Sequence, residues 1–171
     1  LLSFLLLISA GTFLSAHQVL FISSYSEKFE TVPLQKKGIH EVFDQNNVEL
    51  DEEYMDMKQY NTATNEAHFY ESLKYKLEHH SPYDAILLGD DAALHFAEEH
   101  QQDLFNKIPL VFFCVNDIDA AKEAGKNNYI TGAVEEFYLK ETIDVALRFN
   151  PHAKKIIALV DSTLTGKGDQ K

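Results

Sequence analysis

The feature that most constrains this chain is a repeated alternation of short apolar runs with longer segments whose apolar residues recur every three to four positions. Runs at 19–22 (Val-Leu-Phe-Ile), 48–55, 85–88 (Ala-Ile-Leu-Leu), 110–115, 129–134 and 156–160 read as six strands. Segments 31–46, 66–80, 92–100, 118–124 and 139–149 read as the helices between them. The first helix carries Val32, Ile39, Val42 and Phe43 on one face, the second Tyr70, Leu73 and Leu77, and the last Leu139, Ile143, Ala146 and Leu147. Parallel strands cannot be joined by a tight hairpin and need a crossover, usually a helix. The pattern therefore predicts an α/β fold of three layers, α/β/α, around a mainly parallel sheet. The third, fourth and sixth runs are almost wholly apolar, as strands covered on both faces must be. The chain shows no internal repeat and no low-complexity segment.

At 171 residues, with 45% hydrophobic and 25% charged residues, the chain can bury the core of one ordinary domain. Its formal net charge of −12 lies entirely after residue 16. That balance argues against nucleic acid or an anionic membrane surface as partner, because both are bound through Lys and Arg patches. Residues 1–16 are apolar, carry no charge and end in small residues before His17-Gln18. They read as the apolar and cleavage regions of a secretory signal peptide, either cleaved or retained as an anchor. The stretch is too short for a spanning helix, which needs about 20 apolar residues. A periplasmic or extracytoplasmic location follows as the expectation. Without an initiator Met or a basic leader, the sequence is expected to begin inside its signal. The one candidate boundary lies at Asn150-Pro151 and divides residues 17–150 from residues 151–171. Cys114, the one cysteine, lies in an apolar run and reads as a buried structural thiol.

Ligands of open parallel sheets bind outside the carboxyl ends of the strands. In chain order the six predicted strands lead to Ser23-Ser24-Tyr25-Ser26, to Asp56 and Lys58, to Asp90-Asp91, to Asn116-Asp117, to Glu135-Glu136 and to Asp161-Ser162-Thr163. Hydroxyls, amides and carboxylates thus gather on one edge, with Tyr25 and Phe29 as aromatic walls, a composition suited to a small polar ligand. Several of these residues have an equally good structural reading. Asp91 and Asp117 each precede a helix and fit N-caps, and Ser23 and Ser24 fit a turn. Of Glu135 and Glu136, one is expected to face inward and one outward.

Enzyme signatures fail. Thr165-Gly166-Lys167-Gly168 lacks the upstream Gly and the hydroxyl residue of a phosphate loop, and neither Gly-x-Ser-x-Gly nor Gly-x-Gly-x-x-Gly occurs. His79-His80 and His95/His100 lack a metal-ligand pattern in sequence and read as solvated surface. Asp90-Asp91 follows the third strand, whereas a phospho-receiver places its acidic pair after the first. No catalytic residue, metal or cofactor is expected.

Val19 to Tyr25, Lys37-Gly38-Ile39, Glu53 to Lys58, Tyr83 to Ile86, Gly89 to Leu94, Ile108 to Phe112, Val115-Asn116-Asp117 and Ile130 to Glu136, taken in this order and spacing, resemble the ABC transporter substrate-binding-like sensor domains. These have a type I periplasmic-binding fold and often form the extracytoplasmic part of bacterial histidine kinases or diguanylate cyclases. The resemblance implies a two-lobed clamp, with residues 17–150 as its ligand-binding first lobe and residues 151–171 as the hinge crossover and truncated start of the second. Ligand would touch Ser24, Tyr25, Asp90, Asp91, Asn116, Asp117 and Glu135 from this side, and closure would be passed through a downstream membrane span. The alternative is a free periplasmic substrate-binding protein of an ABC transporter. A small polar ligand, an amino acid or another amine, is the expected partner. A homodimer partner and an ABC permease both stay open as macromolecular partners.

Overall fold

Residues 19–22 have no polar side chain, and the strand they build is placed where both edges and both faces are covered. The computed structural model describes residues 16–136, 138–163 and 166–167. Strands β1 (His17–Ser23), β2 (Val48–Tyr54), β3 (Ala85–Gly89), β4 (Leu110–Val115) and β5 (Ile130–Val134) form one sheet in the order β2-β1-β3-β4-β5. Every pairing is parallel. The crossovers are helices α1 (Val32–Phe43), α2 (Ala63–His79), α3 (Asp90–Glu99) and α4 (Ile118–Ala124), and α5 (Leu139–Phe149) follows β5. The register places Leu20 beside Ile86 and Ile22 beside Leu88. Because side chains alternate along a strand, these four share one face. There they form a core with Leu110 and Phe112 of β4, Leu73 of α2, Phe96 of α3, and Ala121 and Ala124 of α4. Phe21 and Phe113 stack on the other face, ring centres 5.7 Å apart.

Edge strand β2 is acidic, and its charges orient the flanking helices. Glu52 and Glu53 point to opposite faces. Lys36 of α1 takes Glu52 at 2.6 Å, and Lys76 of α2 takes Glu53 at 2.6 Å. Helices therefore flank the sheet on both sides, as right-handed crossovers from this strand order require. An edge strand so charged also resists pairing with another chain.

The sequence pattern located every helix and the first five strands to within a few residues, and departed from the structure at four places. The run at 156–160 is not a strand. Ile157 and Leu159 are 71% and 92% exposed, and among the described residues no strand lies beside this segment to take its N–H and C=O groups. Helix α1 ends at Phe43, and Val42, expected on its apolar face, is 58% exposed. Helix α3 begins at Asp90 itself, and a π-helical turn (Gln101–Phe105) that the pattern did not show continues it toward β4. Cys114 is half-buried and has φ +56°, at a register irregularity between Phe112 and Val115. The signal segment 1–15, and Thr165 and Gly168 of the glycine-rich turn, lie outside the described residues. Among the described residues no helix is long and apolar enough to cross a membrane.

Strand β5 approaches β4 very closely at Gly132, the partner of Phe112. A Cβ at Gly132 would stand 2.1 Å from the Phe112 carbonyl oxygen, and backbone cannot yield as a flexible side chain can. Gly132→Ala is therefore expected to lower the unfolding free energy by about 1–3 kcal/mol, read from urea denaturation. An unchanged midpoint would mean that β5 is free to move off β4.

Candidate functional site

In the order β2-β1-β3-β4-β5 the crossovers from β1 and β3 run to opposite sides, and ligands of open parallel sheets bind at such a switch point, here the carboxyl ends of β1 and β3. Ser24 lies at the base of that point. Its N–H donates to the Gly89 carbonyl at 3.0 Å, its hydroxyl donates to the same oxygen at 2.7 Å, and the hydroxyl accepts from the Ala93 N–H at 2.8 Å. The residue is fully buried. Ser24 thus ties the exit of β1 to the first turn of α3, and both functions of its hydroxyl are used within the fold. The carbonyls of Ser23 and Ser24 also accept the N–H groups of Met55 and Met57, at 2.9 Å each, which fixes the exit of β2.

Above this base stands an aromatic wall. Tyr25 and Phe29 lie with ring centres 4.2 Å apart, and the Lys58 ammonium sits 5.7 Å and 5.9 Å from the two rings. That is within reach of a cation–π attraction. Lys58 also pairs with Asp161 at 2.5 Å, and Asn61 Nδ2 reaches the Ser162 carbonyl at 3.4 Å. The 161–163 segment, expected to follow a strand, nevertheless returns to this edge. The lysine and the Thr163 hydrogen bonds hold the Asp161 carboxyl down at about 2.

Beside the wall lies a polar cluster contributed by four elements. Asp90 follows Gly89 directly into α3 with φ +71°, a left-handed conformation that Asp tolerates better than most residues. Its carboxylate accepts from Gln35 Nε2 of α1 at 3.2 Å. Burial pushes the Asp90 carboxyl up to about 6, against the hydrogen bonds from Gln35 and Tyr25 and with smaller contributions from Asp91 and Glu135. Burial, together with Asp90 and Glu135, likewise pushes the Cys114 thiol up to about 11, so it stays protonated at neutral pH. Glu135 thus lies near Asp90 and Cys114, although it and Glu136 are both exposed. Glu136 instead accepts from the Tyr138 hydroxyl at 3.1 Å. Gln35 Oε1 is buried without a hydrogen-bond partner among the described residues.

The remaining predicted residues divide by role. Asp117 is the N-cap of α4 and accepts from Ala120 N–H at 3.2 Å. Asp91 is not a cap. It lies inside α3, 6% exposed, and its Oδ1 accepts the N–H groups of Asn116 and Asp117 at 3.0 Å each. Asp91 Oδ2 is buried without a hydrogen-bond partner among the described residues. Tyr25, Asp90 and Glu135 are thus brought to one cluster, Asn116 and Asp117 are held beside it through Asp91, and Ser24 and Asp91 act as its frame. Lys58 is among the edge residues that the strand-end rule picks out, though outside the expected ligand contacts. Gln35 carries no such signal and stands in the second turn of a helix that starts at that edge. A cleft of about 530 Å³ between the C-terminal halves of α3 and α4 lies at the opposite edge and is walled mainly by Glu98, Glu99, Asp103 and Glu123.

A carboxyl raised from the ordinary aspartate range to about 6 costs the folded, ionised protein about 3 kcal/mol. The sign follows from linkage: the folded state holds this proton more tightly than the unfolded chain. Its contribution is complete below about pH 4 and is lost as pH rises through about 6. Asp90→Asn is therefore expected to raise the unfolding free energy at pH 8 by about 1–3 kcal/mol and to flatten the decline between pH 4 and 7. Urea denaturation across that range reads both effects, and a variant no more stable than the parent at pH 8 would show Asp90 to be well solvated. Ser24→Ala should move stability the other way by about 1–3 kcal/mol at all pH values in the same measurement.

Comparison with protein-family models, with curated proteins and with solved structures finds no match.

Proposed function

We propose that this chain is the first lobe of an extracytoplasmic sensor domain that binds a small amine-bearing ligand, with a type I periplasmic-binding architecture. The observation that carries the reading is the crevice at the β1/β3 carboxyl ends. There an aromatic pair, a lysine, the buried Asp90 and the exposed Glu135 converge. Both signs of charge are present, with Lys58 at one end and Asp90 and Glu135 at the other. An amino acid with an aromatic or branched side chain meets all three features: its carboxylate toward Lys58, its ammonium toward Asp90, and its side chain against Phe29 and Tyr25. Asn116 and Asp117 would line the same wall.

Two further features support a lobe. Helix α5 leaves Leu139, Val145 and Phe149 exposed at 58%, 49% and 86%. After it, residues 153–160 run on with Ile156, Ile157, Leu159 and Val160 uncovered. Apolar surface of this extent is ordinarily covered by another part of a protein, and a second lobe reached through this crossover would cover it. In such a clamp the ligand favours the closed state only through contacts it makes better there.

The test is a titration of the 171-residue chain with a panel of free amino acids and primary amines, followed by backbone amide shifts. At least one compound is expected to move the signals of Tyr25, Phe29 and the residues after β3 in a saturable way. Asp90→Asn and Asp117→Asn should each weaken that compound about tenfold or more. Binding that survives both substitutions unchanged removes the amine from the reading. Reading the gene beyond Lys171 separates a sensor from a transport component. A second lobe followed by about 20 apolar residues and a kinase or cyclase region is expected, whereas a stop after the second lobe would make the protein a free receptor of an ABC transporter.

A further inference from the structure

Helices α2 and α3 meet on the core face of the sheet through an edge-to-face contact between Phe69 and Phe96, ring centres 5.1 Å apart. One turn before Phe69 stands Glu66, and one turn after Phe96 stands Glu99. His95 lies one turn before Glu99 on the same side of α3. One ligand atom from each of Glu66, His95 and Glu99 lies within 4.8 Å of the others, Glu66 half-buried and the other two exposed. In sequence, His95 shows no metal-ligand pattern, because the third group arrives from another helix nearly thirty positions earlier.

Elsewhere on this acidic chain many carboxylates have a cation. Lys36 takes Glu52, Lys76 takes Glu53, Lys58 takes Asp161, Lys126 takes Glu123 and Lys140 takes Asp144. The side chains of Glu66, His95 and Glu99 make neither a hydrogen bond nor an ion pair with any described residue. Two carboxylates are thus held close together beside an imidazole, with no lysine or arginine to balance them. Like charges so placed repel unless a cation enters. From this geometry we infer that Glu66, His95 and Glu99 form a site for a divalent transition-metal ion, with zinc the ion it fits best, joining α2 to α3.

The donor set selects the class of ion. One imidazole nitrogen and two carboxylate oxygens suit zinc in four-fold coordination with a water completing the shell. Calcium and magnesium take oxygen almost exclusively and want six or more ligands. Zinc bonds of about 2.0–2.2 Å would draw the three groups somewhat closer than they stand, which exposed side chains at i and i+4 can do by rotation. The ion would bridge the helix that carries Asp90 and Asp91 to its neighbour, far along α3 from those residues. The site therefore stands independently of the ligand crevice.

The experiment is a titration of the chelator-treated 171-residue chain with Zn²⁺ at pH 7.5 by calorimetry, repeated with Co²⁺ to read coordination from its visible absorption. One ion is expected at this site, with a rise in melting temperature and a cobalt spectrum of low coordination number. His95→Ala, and separately Glu99→Gln, should each weaken that binding at least tenfold, while His79→Ala leaves it unchanged. A thousandfold excess of Ca²⁺ should not displace the ion. Absent binding, affinity unchanged in both His95→Ala and Glu99→Gln, or ready displacement by Ca²⁺ would each overturn the inference. Should either variant fold poorly by circular dichroism, the other supplies the comparison.

Discussion

Strand β1 is paired with β2 over His17–Ser23 on one side and with β3 over Val19–Ser23 on the other, both parallel, and most of the molecule follows from that. A strand in this position has no water to satisfy its backbone and no free face, so its sequence must be apolar, and Leu20, Phe21 and Ile22 are buried at 1% or less. Placing β1 between β2 and β3 forces the first crossover to one side and the second back past its own start. The two loops leaving β1 and β3 therefore separate from each other, and the crevice between them is a product of connectivity. The glycine at the end of β3 belongs to the same constraint: a Cβ at Gly89 would come within 2.9 Å of the Phe21 ring.

The same edge shows how a polar site is built on an apolar frame. Two buried polar side chains close to β1 are held by backbone from another element: Ser24 by Gly89 and Ala93, and one oxygen of Asp91 by Asn116 and Asp117. Such bonds hold the strand exits and helix starts in fixed relation, which is what a preorganised site requires. They also withdraw Ser24 and half of Asp91 from any contact with solvent. Asp90 differs, since its bonds come from the side chains of Gln35 and Tyr25, which can be exchanged for those of a ligand without unfolding anything.

Much of this could be read in the sequence because it depends on residue type and period. The parallel sheet was legible in the apolar runs, and the edge residues were legible from the rule that sites follow strand ends. What could not be read depended on contacts between distant segments. Nothing local distinguishes Asp91, which holds two backbone N–H groups of the β4–α4 loop, from Asp117, which caps α4. The hydroxyl of Ser24 looks the same in sequence whether it faces a ligand or a buried carbonyl. The run at 156–160 has the composition of a strand, yet strands exist only in pairs, and composition says nothing of a neighbour. Glu66 and His95 show the same limit: each is an ordinary helix-surface residue until α2 and α3 pack through Phe69 and Phe96.

Asp90 is where the cost of the site and its selectivity meet. With its carboxyl pushed up to about 6, Asp90 is largely ionised at neutral pH and sits poorly solvated beside Asp91 and Glu135. A ligand ammonium placed there would supply the countercharge that water and the protein do not. Recovering the full desolvation cost, about 3 kcal/mol, corresponds to roughly a hundredfold in affinity, and a neutral analogue of the same shape would gain none of it. Under the two-lobe reading that gain is largest when the crevice is closed, because excluding water strengthens the attraction. The same buried charge that weakens the empty lobe would then help to drive closure around a cation, and discrimination between ligands would follow from charge before shape.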